Sequence, residues 1–392
     1  MTPGATGGGF GVLSRRQTLL AAGLAAACWR SGPTPSLAKA LPVVPTRGVN
    51  VPGWFDTPDG VAPDPAVLAK LRRCGVASIR LPVDGELVLG GGAAMLRHIR
   101  AAVADLVQAG FAVLVDMHPS ATLHAAFLRD PAAAGDRVEE AWTALRDVVK
   151  DLPAGRVYPE LLNEPPMEQG HWLALRDRLA ETVRAACPDH AIVWGPTIDQ
   201  GIWRLEATPP LADDNQIAAV HFYAPMAFTH QCQSWGASPL ARIRHLPFPA
   251  TRNTARMRER LLALRASGED VAAALLEEQL SIDWTAAAIR AEFDRAARWS
   301  QSSGCPVMLN EFGVLDFCVD AESRLAWVRA VRSAAEANGM GWAYWELDQG
   351  FGFIESRRST RGFDTAMVSA LFEEARGGGR PVSGADHGGA VP

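Results

Sequence analysis

The sequence predicts an α/β fold, a (β/α)8 TIM barrel in a single domain, with one long insertion after the sixth strand. Three observations carry that reading. From Thr46 onward, eight short apolar runs alternate with longer amphipathic segments, the rhythm of strands joined by crossover helices. Several runs are nearly continuous in Val, Ile, Leu and Ala, as parallel strands buried on both faces require. Most of the runs end in a polar or charged residue, and in a barrel those ends converge on one face.

The eight predicted strands are residues 48–54, 77–83, 112–118, 157–163, 191–195, 217–223, 307–311 and 341–345. Predicted helices lie between them at 65–73, 93–109, 136–150, 168–186, 283–303 and 321–338, with a last one at 364–376. In the third of these Val138, Trp142, Leu145 and Val149 share one face, the apolar stripe of a helix packed on a sheet. The fifth connection is the weakest helically. A doubly wound sheet is the competing architecture, but it wants a Gly-rich phosphate turn after its first strand. Gly48-Val-Asn-Val-Pro-Gly53 lacks that spacing. One connection is far too long: residues 224–282 hold a loop bearing Trp, Phe and His and two Arg/Glu/Leu-rich stretches, 254–266 and 269–280. An insertion there emerges on the face where barrel sites lie, as a wall or lid of a cleft or as a decorative subdomain.

Composition narrows the classes of function. The chain has 392 residues, 48% hydrophobic and 21% charged, with 38 basic against 43 acidic side chains and a formal net charge of -5. That balance argues against a nucleic-acid binder and excludes wholesale disorder. Six cysteines without a C-x-x-C make neither a disulfide scaffold nor a zinc or redox pair. H-E-x-x-H, G-x-S-x-G and Walker-type phosphate loops are missing. His118 and His124 are six apart with no carboxylate at a standard ligand spacing, and a metal site drawn from His221, His230 and Cys232 is only a remote alternative, so neither a metal nor an organic cofactor is expected.

The first forty residues read as an address. They carry Arg15, Arg16, Arg30 and Lys39 and no acid, and an apolar stretch of roughly ten residues follows the arginine pair. Ala38-Lys39-Ala40 offers small residues at a cleavage spacing. The segment resembles a twin-arginine export signal, although Thr18 stands where an apolar aromatic is usual. A lipoprotein anchor at Cys28 is the competing reading. No later apolar run is expected to reach the length of a membrane span, so the segment from residue 41 to residue 376 should be soluble, periplasmic or secreted, and monomeric. A Gly-rich tail, 377–392, follows. Removing residues 1–40 takes away positive charge only. The remaining chain is therefore more acidic than the whole, which suits a neutral glycan partner better than an acidic one.

The strand ends hold the chemistry: Arg80, Asp116-Met-His118, Asn163-Glu164-Pro165, His221-Phe-Tyr223, Asn310-Glu311-Phe-Gly313 and Trp345-Glu346. One such ending is noise, but this set converging on one face reads as a site. Together they resemble glycoside hydrolase family 5, the retaining endoglucanase and mannanase group. Leu162-Asn163-Glu164-Pro165 is similar to its fourth-strand motif and Leu309-Asn310-Glu311-Phe-Gly313 to its seventh. The likeness runs from about Arg47 to Asp348. It implies Glu164 as general acid/base and Glu311 as nucleophile, with no cofactor. Arg80 and Tyr223 would hold Glu311 as an anion, Asn163 would meet the sugar 2-hydroxyl, His118 and His221 would orient carboxylates or bind hydroxyls, and Trp345 would be the stacking floor. The substrate implied is a β-linked polysaccharide, first a β-1,4-glucan, with β-mannan, β-1,3-glucan or an exopolysaccharide as alternatives. A non-catalytic glycan-binding barrel is the reading from another class.

Trp54, Trp203 and Trp235 are candidate sugar-stacking faces, whereas Trp142, Trp172, Trp299 and Trp327 fall in helices and read as packing. Asp116 is either a partner of His118 or a buried core acid. Glu346 should point away from the site. Cys232 and Cys318 share the catalytic face, and with export they suggest a disulfide.

Overall fold

The structure is a computed structural model and describes residues 41–373. The predicted signal 1–40 and the Gly-rich tail 377–392 lie outside the described residues. Eight parallel strands close a barrel in sequence order. They are β1 (Gly48–Asn50), β2 (Ser78–Val83), β3 (Ala112–Met117), β4 (Val157–Glu160), β5 (Ile192–Trp194), β6 (Gln216–His221), β7 (Val307–Glu311) and β8 (Gly341–Tyr344). β8 returns to β1 with Ala343 opposite Gly48, so among the described residues the sheet is closed and a doubly wound arrangement is ruled out. Gly341 permits the closure, because a Cβ there would collide with the Pro45 carbonyl of the segment entering beneath the barrel.

Most predicted strands run past their hydrogen-bonded ends. β4 stops at Glu160 and β1 at Asn50, so Asn163, Glu164 and Trp54 belong to loops. Apolar character continues there because the loop bases are buried too, as at Leu161 and Leu162. The predicted helices are present, and the fifth connection shrinks to one turn, Ile202–Leu205. A helix at Ala121–Arg129 was not anticipated; Ser120 caps it by accepting from the Leu123 amide.

The second helix is longer than its period suggested, Gly85–Gln108, kinked at Gly92 and capped by Asp84. At 24 residues it is long and apolar enough to cross a membrane by length and composition, contrary to the expectation that no such run exists. Here Val88, Ile99, Ala102, Val103 and Leu106 are buried within the barrel's helical layer, as in an amphipathic barrel helix.

Two apolar layers result. The larger fills the space between strands and helices; Trp142, Trp172 and Trp327 are buried there and Trp299 packs against it. A small second cluster, Leu114, Tyr158, Ala191, Val193, Ile217, Ala219 and Met308, plugs the barrel itself. Side chains two positions further along a strand point the same way. The next inward layer is therefore Asp116, Glu160, His221 and Asn310, all buried. A polar floor thus rests on an apolar plug.

The insertion 224–282 carries short helices at Met226–Thr229, Ala255–Ala266 and Asp270–Gln279. Its two ends are tied by the Ala227 amide donating to Gln279 Oε1 at 2.6 Å. It also closes an antiparallel bridge between Ala250 and Trp284. The predicted Cys232–Cys318 disulfide is formed, with Cα atoms 6.1 Å apart. Cys232 is therefore not a metal ligand.

Candidate active site

Arg80 organises the floor. From the middle of β2 its fully buried guanidinium donates twice to Glu160, at 2.8 Å each. The same group reaches Glu311 Oε1 at 2.6 Å, Asn50 Oδ1 at 2.9 Å and Asn163 Oδ1 at 2.8 Å, and Asp116 Oδ2 at 3.0 Å. One cation therefore faces three carboxylates, all but hidden from water. Charges are buried only when paired, and here the three acids outnumber the guanidinium by two. The imbalance shows in neighbouring titrations: withdrawal from water pushes Glu160 up to about 7 despite Arg80. For His118, burial works against the charged form, but Asp116, 2.8 Å from its Nδ1, outweighs it and raises the imidazole.

Glu160 was missed at the sequence level. It sits inside a run read as core strand, and its signal was an acid within an otherwise apolar run. Asp116 fills both roles weighed for it, pairing with Arg80 and orienting His118. Asn310 donates to Glu160 at 2.7 Å.

A register shift between Val220 and His221 places His221 opposite Glu311 across β6 and β7, the kind of irregularity that re-aims a side chain at a site. His221 Nδ1 then lies 2.9 Å from Glu164 Oε1 and 3.5 Å from Glu311 Oε2. Burial pulls His221 down to about 4, so a neutral imidazole bridges the two glutamates. The Tyr223 hydroxyl donates to Glu311 Oε2 at 3.0 Å.

Glu164 sits just past β4 at φ 40, a left-handed conformation costly for a residue with a side chain. Its amide donates to Gln200 Oε1 at 2.6 Å, and buried Gln200 was not anticipated because nothing in its loop marks it. The Glu164 side chain lines the cleft at 41% exposure, and the water it does lose pushes the carboxyl up to about 7.

A cleft of about 870 Å³ opens over these groups, and Glu164, Glu311, His118, Asn163, His221, Tyr223 and Trp345 all line it. Trp345 stacks on His118 with ring centres 5.7 Å apart. Trp203 and Trp235, both about half exposed, line it too. Trp54 does not: its ring is buried, stacked on Phe55 at 5.1 Å. The first strand ends too early to carry Trp54 to the rim, and the candidate stacking role is withdrawn. Glu346 borders the cleft, yet its carboxylate is spent accepting from the Asp348, Gln349 and Phe351 amides. Its role remains structural.

One atom each from Glu164, His221 and Glu311 lies within 4.8 Å of the others. That spacing could seat a cation, but the Arg80 guanidinium against Glu311 would repel one. What the arrangement offers chemically is two carboxyl groups in different states of solvation, facing a cavity with an aromatic floor.

Known proteins share the fold and the family. Endoglucanase 3 of Fibrobacter succinogenes is 25% identical over 349 residues, covering 82% of this chain and 52% of the relative. The chain therefore spans about half the length of that relative. Cellodextrinase A of Ruminococcus flavefaciens is 21% identical, covering 84% of this chain and 90% of the relative. Among solved structures, an endoglucanase superposes with TM-score 0.69 at 20% identity over 84% of this chain and 97% of its own. The cellulose synthase subunit Z of Clostridioides difficile gives 0.67 at 21%, over 84% and 100%. Residues 38–350 match the model of the cellulase family, glycosyl hydrolase family 5, and the chain belongs to that family.

Proposed function

We propose that this protein hydrolyses β-linked polysaccharide with retention of anomeric configuration, first of all as an endo-β-1,4-glucanase. The observation that carries the reading is the pair Glu164 and Glu311, bridged by His221, with one carboxyl oxygen of each within 4.8 Å of the other. Carboxyl groups about 5–5.5 Å apart belong to retaining enzymes, while inverting ones need about 6.5–9.5 Å to admit water.

The two glutamates differ as the reaction demands. Glu311 accepts from the Arg80 guanidinium at 2.6 Å and from the Tyr223 hydroxyl, so Glu311 is the group to attack the anomeric carbon. Glu164 faces the cleft without a cationic partner of that kind and, at about 7, holds a proton near neutral pH. It gives that proton to the departing glycosidic oxygen as the Glu311 ester forms. Water then cleaves the ester, returning a proton to Glu164 and freeing Glu311. Asn163, anchored by Arg80, is available to the sugar 2-hydroxyl. Trp345, held against His118, offers the ring face beneath the reacting sugar.

The relatives' names, an endoglucanase and a cellodextrinase, support a β-glucan. A Thermotoga maritima neighbour, 22% identical and with TM-score 0.66, was solved with mannotriose as well as cellobiose, which keeps β-mannan as a second substrate. Residues 1–40 are proposed as an export signal of twin-arginine type, which would put the enzyme in the periplasm or outside the cell. The test is hydrolysis of a panel of β-glucans and β-mannan, with product lengths and the first-formed anomer read by NMR. β-Anomer products of many lengths from β-1,4-glucan are expected. Initial α-anomer, or turnover unaffected by Glu311→Gln, would overturn the reading.

A further inference from the structure

The Cys232–Cys318 disulfide joins the insertion to the loop after β7. Two large apolar side chains flank it, Trp235 and Phe317, exposed by 47% and 48%. Their rings meet edge to face with centres 6.4 Å apart. Trp235 also faces Phe351 at 6.3 Å, and Phe351 lies 6.0 Å from Tyr223, whose hydroxyl holds Glu311. An aromatic wall thus runs from the disulfide to the reacting centre. The loop after β8 is shaped to receive it: a Cβ on Gly350 would sit 2.8 Å from the Phe317 ring.

Apart from this bond, the segment carrying Trp235 has few anchors. The Cys232 amide donates to the Leu240 and Ile243 carbonyls, and Gln233 Nε2 donates to the Trp235 carbonyl within the same loop. The rest of the insertion is fastened elsewhere, by Gln279, by the Ala250–Trp284 bridge and by the Phe248 amide on Ser323. Cutting the disulfide would therefore loosen the stretch around Trp235, which keeps Phe351 as a neighbour, while these anchors and the Leu315 amide on the Thr229 carbonyl stay in place.

We propose that the Cys232–Cys318 disulfide is a specificity-determining tie that holds Trp235 against Phe317 as an outer sugar-stacking wall, selecting longer glycan chains over short ones. The inference rests on the glycosidase reading for its choice of ligand. An exposed aromatic pair contributes more to affinity when its geometry is held before the ligand arrives, because the cost of ordering it is then already met. Short ligands confined to the floor around Trp345 and Tyr223 do not reach the outer pair, Trp235 and Phe317.

Calorimetric binding of cellohexaose and cellobiose to the full chain, carrying Glu164→Gln to prevent turnover, tests this. Oxidised protein is compared with dithiothreitol-reduced protein and with Cys232→Ser. Cys74, Cys187 and Cys305 are already free, so among the described residues the reductant acts on this bond alone. Reduction and Cys232→Ser should each weaken cellohexaose binding about five- to tenfold and leave cellobiose unchanged. Trp235→Ala, which keeps the disulfide, should do the same and stands in if Cys232→Ser does not fold. Equal losses for both ligands, or none for cellohexaose, would overturn the inference. Hydrolysis by the unmodified chain is assayed in parallel. Its failure would count against the proposed reaction, while the binding ratio still decides the role of the disulfide.

Discussion

Removing Arg80 and then one of its acids tests the logic of the buried floor. Arg80→Met leaves Asp116, Glu160 and Glu311 facing one another without the guanidinium between them, in a layer where Arg80, Asp116 and Glu160 are fully buried. Breaking a buried pair by removing one partner costs about 3–5 kcal/mol. Glu160→Gln by itself gives up two charge-assisted bonds to Arg80, but it keeps an oxygen for Asn310 and relieves repulsion from two other acids. That offset brings its cost to about 1–2 kcal/mol. In the double variant the unpaired Glu160 charge no longer exists, so the combined loss should fall short of the sum by about 2 kcal/mol or more.

The pH dependence has a definite sign. Glu160 is raised from 4.5 to about 7 in the folded protein. Its contribution is fully present below about 4.5 and is lost as pH rises through about 7. Wild-type stability should therefore decline over that window, Glu160→Gln should flatten the decline, and the coupling should be larger at pH 8 than at pH 5. Urea denaturation of the four proteins at both pH values measures all of this. Losses that add to within about 0.5 kcal/mol at pH 8 would refute the idea that these groups act as one unit.

Other expectations follow from the cleft. With Glu164 at about 7, kcat/KM should hold below that pH and fall above it as the acid loses its proton; a plateau extending to pH 9 would assign the acid elsewhere. Glu164→Gln should cost about 10²–10⁴-fold on a natural glucan and far less on an aryl glycoside whose leaving group needs no proton, as steady-state rates on the two substrates would reveal. Tyr223→Phe removes one donor to Glu311. A hydrogen bond to a charged group is worth about 1.5–3 kcal/mol, so kcat should drop roughly 10–100-fold with the fold unchanged by circular dichroism.

Much of this molecule is written locally. Barrel strands are short and apolar because both faces are buried, so β7 was legible to the residue. That His118, Glu164, Glu311 and Trp345 lie at or just past strand ends was legible because parallel strands deliver their ends to one face, whereas Arg80 sits mid-strand in β2 and reaches the site by its length. Tertiary structure alone decided three things. Glu160 faces the barrel axis because inward direction depends on the plug beneath it, with Tyr158 two positions earlier fixing the parity; one sequence has no record of which strand face looks inward. Trp54 is buried while Trp235 is exposed, since a ring's neighbours come from distant loops, Phe317 and Phe351 among them. And the protonation states of Glu164, His118 and His221 follow from burial and from charges brought together across the barrel, for Coulomb energy depends on distance in space and on exclusion of water, and separation along the chain encodes neither.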